Sequence, residues 1–445
     1  MPLLFKNKNV TVMGLGLHGG GVGVVKFLAK QRAKILVTDL KTRKELGESL
    51  KKLKKYKKIK YILGKHRMED FKNTDLIIKN PGVPKESGYL QIARKNKVPI
   101  ETDIGLFFEL CPSKKIIGVT GTKGKSTVTT LIAKLLATKY HAVLAGNIRT
   151  SALEELPKIN KNTNIVLELS SWQLEDLKGH KKSPWIAVIT NIMQDHLNRY
   201  RGIKDYIEAK KLIFKFQKPD DFLILNSDDK IVNKFAKEAE AKIIFYSKKQ
   251  AFKYFKESSL VGEHNLSNLS AALAVVKLLK IPISSIKKVI KTFQGIEGRL
   301  ELVKEIGGIK YYNDTTATTP EATIAALKSL FHPAKAGQAN IILIAGGADK
   351  NLNFQELAKV ISKRVKSLIL LPGTATRKLT NLRPAYRRGK LVARRAKNMK
   401  EAVKIASKTA EKGDVVLLSP GCASFGLFQH EFDRGKQFQK CIKNL

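Results

Sequence analysis

An apolar run that meets a glycine-rich, lysine-bearing turn and then a helical pattern does most to limit the folds open to this chain. Lys115-Ile116-Ile117-Gly118-Val119-Thr120 reads as a short strand, Gly121-Thr122-Lys123-Gly124-Lys125-Ser126-Thr127 as the turn, and Val128 to Leu136 as a helix. Such a junction aims backbone N–H groups and the positive end of a helix at one point, which makes an anion site. Lys125 adds a point charge for β- and γ-phosphates, and Ser126 or Thr127 a hydroxyl for Mg²⁺. The common phosphate loop has four residues between its glycines, whereas Gly121 and Gly124 enclose only two. A plain turn before a helix would explain the glycines but not glycine, lysine, serine and threonine in that order. The pattern predicts nucleoside triphosphate binding.

The same alternation of strand and helix runs through the chain and predicts α/β architecture built on parallel sheets. Residues 1–103 carry strands at Asn9–Met13, Lys34–Thr38 and Asp75–Lys79. Residues 104–298 hold the phosphate loop, strands at Asn164–Leu169, Ile186–Ile192 and Phe222–Leu225, and a helix over Lys204–Phe216. Residues 299–445 show strands at Ile309–Tyr312, Ile341–Ala345, Ser367–Leu371 and Val415–Leu418. The expectation is three domains: a Rossmann-like N-terminal one, a central P-loop ATPase-like one and a Rossmann-like C-terminal one. A chain of 445 residues accommodates that number.

The formal net charge of +45 raises the question of a nucleic-acid partner, or a nucleic-acid-associated ATPase. The lysines are spread along the chain, however, as in Lys51-Lys52-Leu53-Lys54-Lys55-Tyr56-Lys57-Lys58, which reads as a solvated helix face. No basic motif interleaved with aromatics stands out, so functional nucleic-acid binding is not expected. No apolar run reaches bilayer-spanning length, and Met1 to Lys6 lacks a signal-peptide core. Cys111, Cys422 and Cys441 are widely spaced and read as reduced thiols. A cytoplasmic monomer without membrane attachment is expected.

Strand ends collect ligands in parallel sheets. Glu168 closes one predicted strand and is a credible Mg²⁺ ligand beside a triphosphate; alone it reads as an ordinary carboxylate. Asp195-His196 follow another strand, where His196 is either structural or a site residue. Gly14, Gly16 and Gly19, followed by Asp39 at the end of the next strand, form a dinucleotide-like fingerprint. Taken alone it suggests NAD, but a dehydrogenase would leave the phosphate loop without a purpose.

Taken in order, Gly121 to Thr127, Leu167-Glu168-Leu169-Ser170-Ser171-Trp172-Gln173-Leu174-Glu175, Asp195-His196-Leu197-Asn198-Arg199-Tyr200 and Gly262-Glu263-His264-Asn265 resemble the Mur ligase family over essentially the whole chain. With Ser419-Pro420-Gly421-Cys422-Ala423-Ser424 the pattern is most similar to members that add D-glutamate to UDP-N-acetylmuramoyl-L-alanine. The resemblance implies an ATP-dependent amide-forming ligase of peptidoglycan precursor synthesis, acting through an acyl phosphate. By resemblance, Gly121, Thr122, Lys123, Gly124, Lys125, Ser126 and Thr127 hold ATP phosphates. Ser126, Glu168 and His196 serve Mg²⁺, two ions being expected, and Asn147 lines the site. Lys210, with Lys211 as register rival, matches the lysine that the family carbamylates to bind metal.

Asn268, Arg299 and Asp314 match ATP-side positions. Thr318, Lys350 and Ser424, with Arg199, match glutamate contacts. Gly14, Leu17, His18, Asp39 and Gly82 match the cradle of the UDP group. Two departures touch amino-acid recognition: Thr316 stands where many members have lysine, and Glu431 where a phenylalanine is expected, with Phe428 and Phe432 nearby. L-glutamate, another amino acid or a folylpolyglutamate synthase-like acceptor are the related alternatives.

Overall fold

The computed structural model describes residues 3–17, 19–148, 150–193, 200–258, 260–330, 340–349, 352–381 and 392–445. They form two compact units, Met1–Tyr254 with Leu266–Val289, and Phe255–Asn265 with Ile290–Leu445. Among the described residues there are three sheets, two in the first unit and one in the second.

The first sheet has strands β1 (Asn9–Met13), β2 (Lys34–Asp39), β3 (Ile59–Leu63), β4 (Leu76–Lys79) and β5 (Ile100–Thr102). Their order is β3-β2-β1-β4-β5 and all pairs are parallel. This is the order of a nucleotide-binding Rossmann half, with the switch point between β1 and β4. Val10, Val12, Ile77 and Ile78 are almost wholly buried, as expected where both faces of a parallel sheet are covered.

The second sheet comprises β6 (Ile116–Thr120), β7 (Ala142–Gly146), β8 (Asn164–Glu168), β9 (Ile186–Ile189), β10 (Phe222–Asn226) and β11 (Lys242–Tyr246). It is parallel throughout, in the order β11-β10-β9-β6-β8-β7. One continuous apolar cluster joins both sheets, running from Phe5, Val25 and Phe27 through Ile104 and Phe107 to Leu153, Leu167 and Leu225.

Three buried polar groups lie within that junction. Lys79 Nζ is 3.0 Å from Asp176 Oδ1, both side chains being nearly inaccessible. Burial, with the charge of Asp176 as a smaller cause, pushes the Asp103 carboxyl up to about 6. Burial also raises Asp176, opposed by the Lys79 ammonium.

In the second unit, β12 (Glu301–Ile306) pairs antiparallel with β13 (Ile309–Asn313). β13, β14 (Ile341–Ala345), β15 (Val365–Leu370), β16 (Val392–Arg395) and β17 (Val415–Leu418) make parallel pairs, and the full order is β12-β13-β17-β14-β15-β16. Helices Pro320–Leu330 and Gln355–Arg364 cover one face and helices Met399–Thr409 and Glu431–Lys443 the other, each over its own apolar cluster.

Three sequence expectations need correction. The lysine run is helical only within Gly47–Lys51. Residues 52–58 are turns, because Leu53 is pinned in the core and β3 starts at Ile59. The strand read as Ile186–Ile192 ends at Ile189, since Thr190 and Asn191 bend away to bond the phosphate loop. The helix read as Lys204–Phe216 is Ile203–Lys211, followed by turns that lead Gln217 to the carbonyls of Pro184 and Phe222.

Candidate active site

The strand–turn–helix junction forms as the sequence requires. β6 ends at Thr120, and the helix Lys125–Leu136 starts behind Gly124, its N-cap, at φ 85°. Gly121 has φ 143°, and a Cβ there would collide with Thr190 Oγ1. A Cβ on Gly124 would collide with Asn268 Oδ1, so Asn268 lies directly against the phosphate loop. Only glycine meets both demands, a positive φ and no side chain.

Other chain segments brace the loop. Thr190 Oγ1 and Asn191 Nδ2 donate to the Lys123 carbonyl at 2.7 and 3.0 Å, and Asn191 Oδ1 accepts from Lys123 N at 2.9 Å. Thr122 Oγ1 accepts from Met193 N at 2.9 Å and lies 3.3 Å from the Tyr206 hydroxyl. Lys125 Nζ folds back on its own loop, donating to the Gly121 and Thr122 carbonyls, each at 2.9 Å. Its ammonium is thereby held at the helix N-terminus.

Two strand ends bring further groups to the loop, since β6 neighbours both β8 and β9. Glu168, the last residue of β8, is buried; its Oε1 accepts from Asn147 Nδ2 at 2.9 Å. Oε2 has no hydrogen-bond partner in the structure although it is buried. An orphaned carboxylate oxygen in such a place is costly unless a cation or donor completes it. Among the described residues no group of three or more His, Cys, Asp or Glu side chains forms a metal cage. A hard cation here would therefore depend on Glu168, the Ser126 or Thr127 hydroxyl, water and phosphate oxygens, a donor set suited to Mg²⁺. The residues fit the ion.

Lys210 is 1 % exposed, whereas its neighbour Lys211 is partly exposed. Lys211 pairs at the surface with Glu208 and Glu238 at 2.8 and 2.7 Å. Lys210 Nζ instead points inward, 3.4 Å from Thr120 Oγ1 and 4.6 Å from the Tyr206 ring centroid. It therefore stands one residue from the start of the phosphate loop.

In the first sheet, Gly14 and Gly82 both lie against Asn80, past the adjacent ends of β1 and β4. A Cβ on Gly14 would lie 2.9 Å from Asn80 Cβ, and Asn80 Oδ1 accepts from Gly82 N at 3.0 Å. Asp39 turns its carboxylate into the glycine loop, accepting from Gly16 N at 3.0 Å and Lys41 N at 2.9 Å. Leu17 is half-buried against the apolar cluster. Between Gly82 and the helix Ser171–Leu177 lies a cavity of about 880 Å³, lined also by Pro84, Lys85, Trp172, Tyr200 and Arg201.

The second unit gathers its own loops at the carboxyl ends of β13, β17 and β14. Gly421 N donates to Ala317 O, Gly346 N to Pro420 O, and Ala348 and Ala423 exchange two hydrogen bonds. Thr318 and buried Ser424 sit on these interlaced loops. Asp314 accepts from the Ser419 hydroxyl at 2.8 Å and Leu300 N at 3.2 Å; burial pushes its carboxyl up to about 7. Arg299 exerts the opposing charge effect on it. Thr316 donates to Gly298 O at 2.8 Å. His18, His196, Arg199 and Lys350 lie outside the described residues.

Sequence reasoning missed the bracing residues Thr120, Thr190 and Tyr206 and the buried groups Lys79, Asp103, Asp176 and Arg434. Arg434 could have been found from its phase, since it falls four and eight residues before buried Phe438 and Ile442 on one helix.

The chain matches three family models along its length: "Mur ligase MurD-like, N-terminal domain" at residues 8–102, "Mur ligase middle domain" at 119–259 and "Mur ligase, glutamate ligase domain" at 298–422. It is 42 % identical to UDP-N-acetylmuramoylalanine--D-glutamate ligase of Roseiflexus sp. (strain RS-1), over 98 % of this chain and 99 % of that protein. It is 38 % identical to the ligase of the same name from Borreliella burgdorferi (strain ZS7), over 99 % and 98 %. Among solved structures, UDP-N-acetylmuramate-alanine ligase of Thermotoga maritima is similar in fold, with a TM-score of 0.63, 16 % identity and coverage of 98 % and 100 %.

Proposed function

The chain belongs to the Mur ligase family, and on that footing we propose that it is the ATP-dependent ligase that joins D-glutamate to UDP-N-acetylmuramoyl-L-alanine in peptidoglycan precursor synthesis. A carboxylate resists attack by an amine, so one of its oxygens must first be phosphorylated and can then leave as phosphate. ATP phosphorylates the alanyl carboxylate, and the glutamate amine then attacks the acyl phosphate. The tetrahedral adduct expels phosphate and leaves the amide.

One observation carries the reading at the site: the phosphate loop, with Lys125 at its helix N-terminus, sits at the end of the strand next to the one ending in Glu168. Lys125 and the loop N–H groups hold the phosphates and stabilise charge as it moves to the departing phosphate. Glu168 and Ser126 would hold a Mg²⁺ ion, which would neutralise phosphate charge when ATP is bound, and Lys210 would hold a second. In that assignment the Lys210 ammonium first gives up a proton; the neutral amine then adds to CO₂, forming an N–C bond and losing a second proton, so that a buried cation becomes a carboxylate. Gly14, Leu17, Asp39, Gly82 and His18 cradle the UDP group, and a cavity lies beside Gly82. Asn268, Arg299 and Asp314 serve ATP; Thr318, Ser424, Lys350 and Arg199 serve glutamate, and His196 and Asn147 line the reacting carboxylate.

Domain limits near residues 103/104 and 298/299 belong to this reading, as do a monomeric state and a cytoplasmic location. Among the described residues no helix is long and apolar enough to cross a membrane. The deciding experiment measures phosphate release with the muramoyl acceptor and D-glutamate, L-glutamate, lysine or diaminopimelate. Release should require ATP, acceptor and D-glutamate together. Release that ignores the amino acid, or prefers another, sinks the assignment.

A further inference from the structure

Among the described residues Arg434 is the largest fully buried side chain, with no exposed surface. Its Nε donates to Thr315 Oγ1 at 3.1 Å, Nη2 to the Thr315 carbonyl at 2.8 Å and Nη1 to the Cys422 carbonyl at 3.3 Å. The Thr315 hydroxyl in turn donates to Glu431 O at 2.6 Å. Every hydrogen-bond acceptor is neutral. Among the described residues no carboxylate forms an ion pair with this guanidinium, and Glu431 acts on it only through space. Burial consequently holds it below the usual arginine range, at about 10.

A fully buried cation is expected to be paired, because desolvation otherwise costs several kcal/mol, on the order of that found for any buried ion. Here the guanidinium fork instead bridges the loops that leave β13 and β17. Those two strands are neighbours at the centre of the sheet, and their loops carry Thr318 and Ser424. A methionine of similar length could fill the space but could not satisfy two carbonyls and a hydroxyl at once. Cys422 does not supply the missing charge, since burial pushes its thiol up to about 12 and keeps it neutral.

We propose that Arg434 is a positioning residue for the amino-acid step: it fixes the Thr315 and Cys422 loops in register and lends a positive potential to the site that receives the dicarboxylate amino acid. This rests on the reading that the second unit binds glutamate. Arg434 touches no substrate; it acts through the loops and through its field.

Three variants test it: Arg434→Met, Arg434→Lys and Thr315→Val. Two reactions are measured, namely glutamate-dependent phosphate release and glutamate-free formation of acyl phosphate trapped by hydroxylamine. For Arg434→Met the glutamate KM should rise about tenfold or more, the usual scale for losing charge-assisted hydrogen bonds. Trapped acyl phosphate should stay within about twofold of the native rate. Arg434→Lys should fall between the two enzymes.

An unchanged glutamate KM in folded Arg434→Met overturns the proposal, as does equal loss of both reactions. Should Arg434→Met fail to fold, Thr315→Val removes only one partner, and its glutamate KM must still rise about threefold while acyl phosphate formation persists. Native enzyme that releases no phosphate in response to glutamate would instead refute the underlying reading before any variant is made.

Discussion

At the scale of single residues the reaction is a matter of charge placed in advance. Lys125→Ala should lower kcat by about a hundredfold or more while the circular dichroism spectrum stays native, because it removes a cation aimed at moving phosphoryl charge. Near-native turnover would discard the phosphate role. Lys210→Arg keeps the positive charge but cannot carry a carbamate. Its activity should fall by at least about tenfold, and only the native enzyme should lose rate in CO₂-stripped buffer and regain it with bicarbonate. Indifference of the native enzyme to CO₂ would remove the carbamate from the scheme. The residues of this site were legible because phosphate chemistry demands a fixed order of small, cationic and hydroxyl side chains. Glu168 was legible for a different reason, as a charge closing an otherwise apolar strand. Arg434 was not, because a satisfied buried guanidinium leaves no local motif, only a periodicity.

Between elements, the least expected feature is the charged trio under the first two sheets. Lys79 ends β4, immediately before the Asn80–Gly82 turn, and Asp176 belongs to the helix that follows Glu168. Lys79→Met leaves Asp176 buried and alone, and should cost about 3–5 kcal/mol in chemical unfolding of the first unit. Lys79→Met with Asp176→Leu should recover most of that loss; an equally unstable double variant would deny that the charges matter. Asp103 adds a pH dependence of definite sign. Its carboxyl is raised in the folded protein, so the fold binds a proton that the unfolded chain releases near pH 4. Stability is greatest below that point and falls as pH climbs to about 6, by no more than about 3 kcal/mol. Asp103→Asn should therefore stabilise the protein at pH 8 and do little at pH 4.5; equal effects at both would contradict the shift. Periodicity located most strands that lie within the sheets, since their apolar runs are continuous. It missed the six strands at the sheet edges, β3, β5, β7, β11, β12 and β16, which are short or partly exposed and so carry no continuous apolar run.

For the whole molecule, a formal charge of +45 implies strong internal repulsion at low ionic strength. Raising KCl from about 10 mM to 0.5 M shortens the screening length from roughly 30 to 4 Å, and Tm should rise. The KM values of the three anionic substrates should rise over the same range, because the attraction that gathers them is screened too. A Tm that falls with salt would show that specific ion pairs outweigh the repulsion. Three α/β regions were readable from the alternation of strand and helix. That two of them share one apolar cluster was not, because periodicity marks which residues are buried but not which element covers them. The chain crosses from one compact body to the other at Tyr254, returns at Leu266 and leaves again at Ile290. Recombinants with related ligases should accordingly be spliced near residue 290 and carry the excursion Phe255–Asn265 with its C-terminal host. A graft made at residue 103 would tear through a single oily interior and yield inclusion bodies.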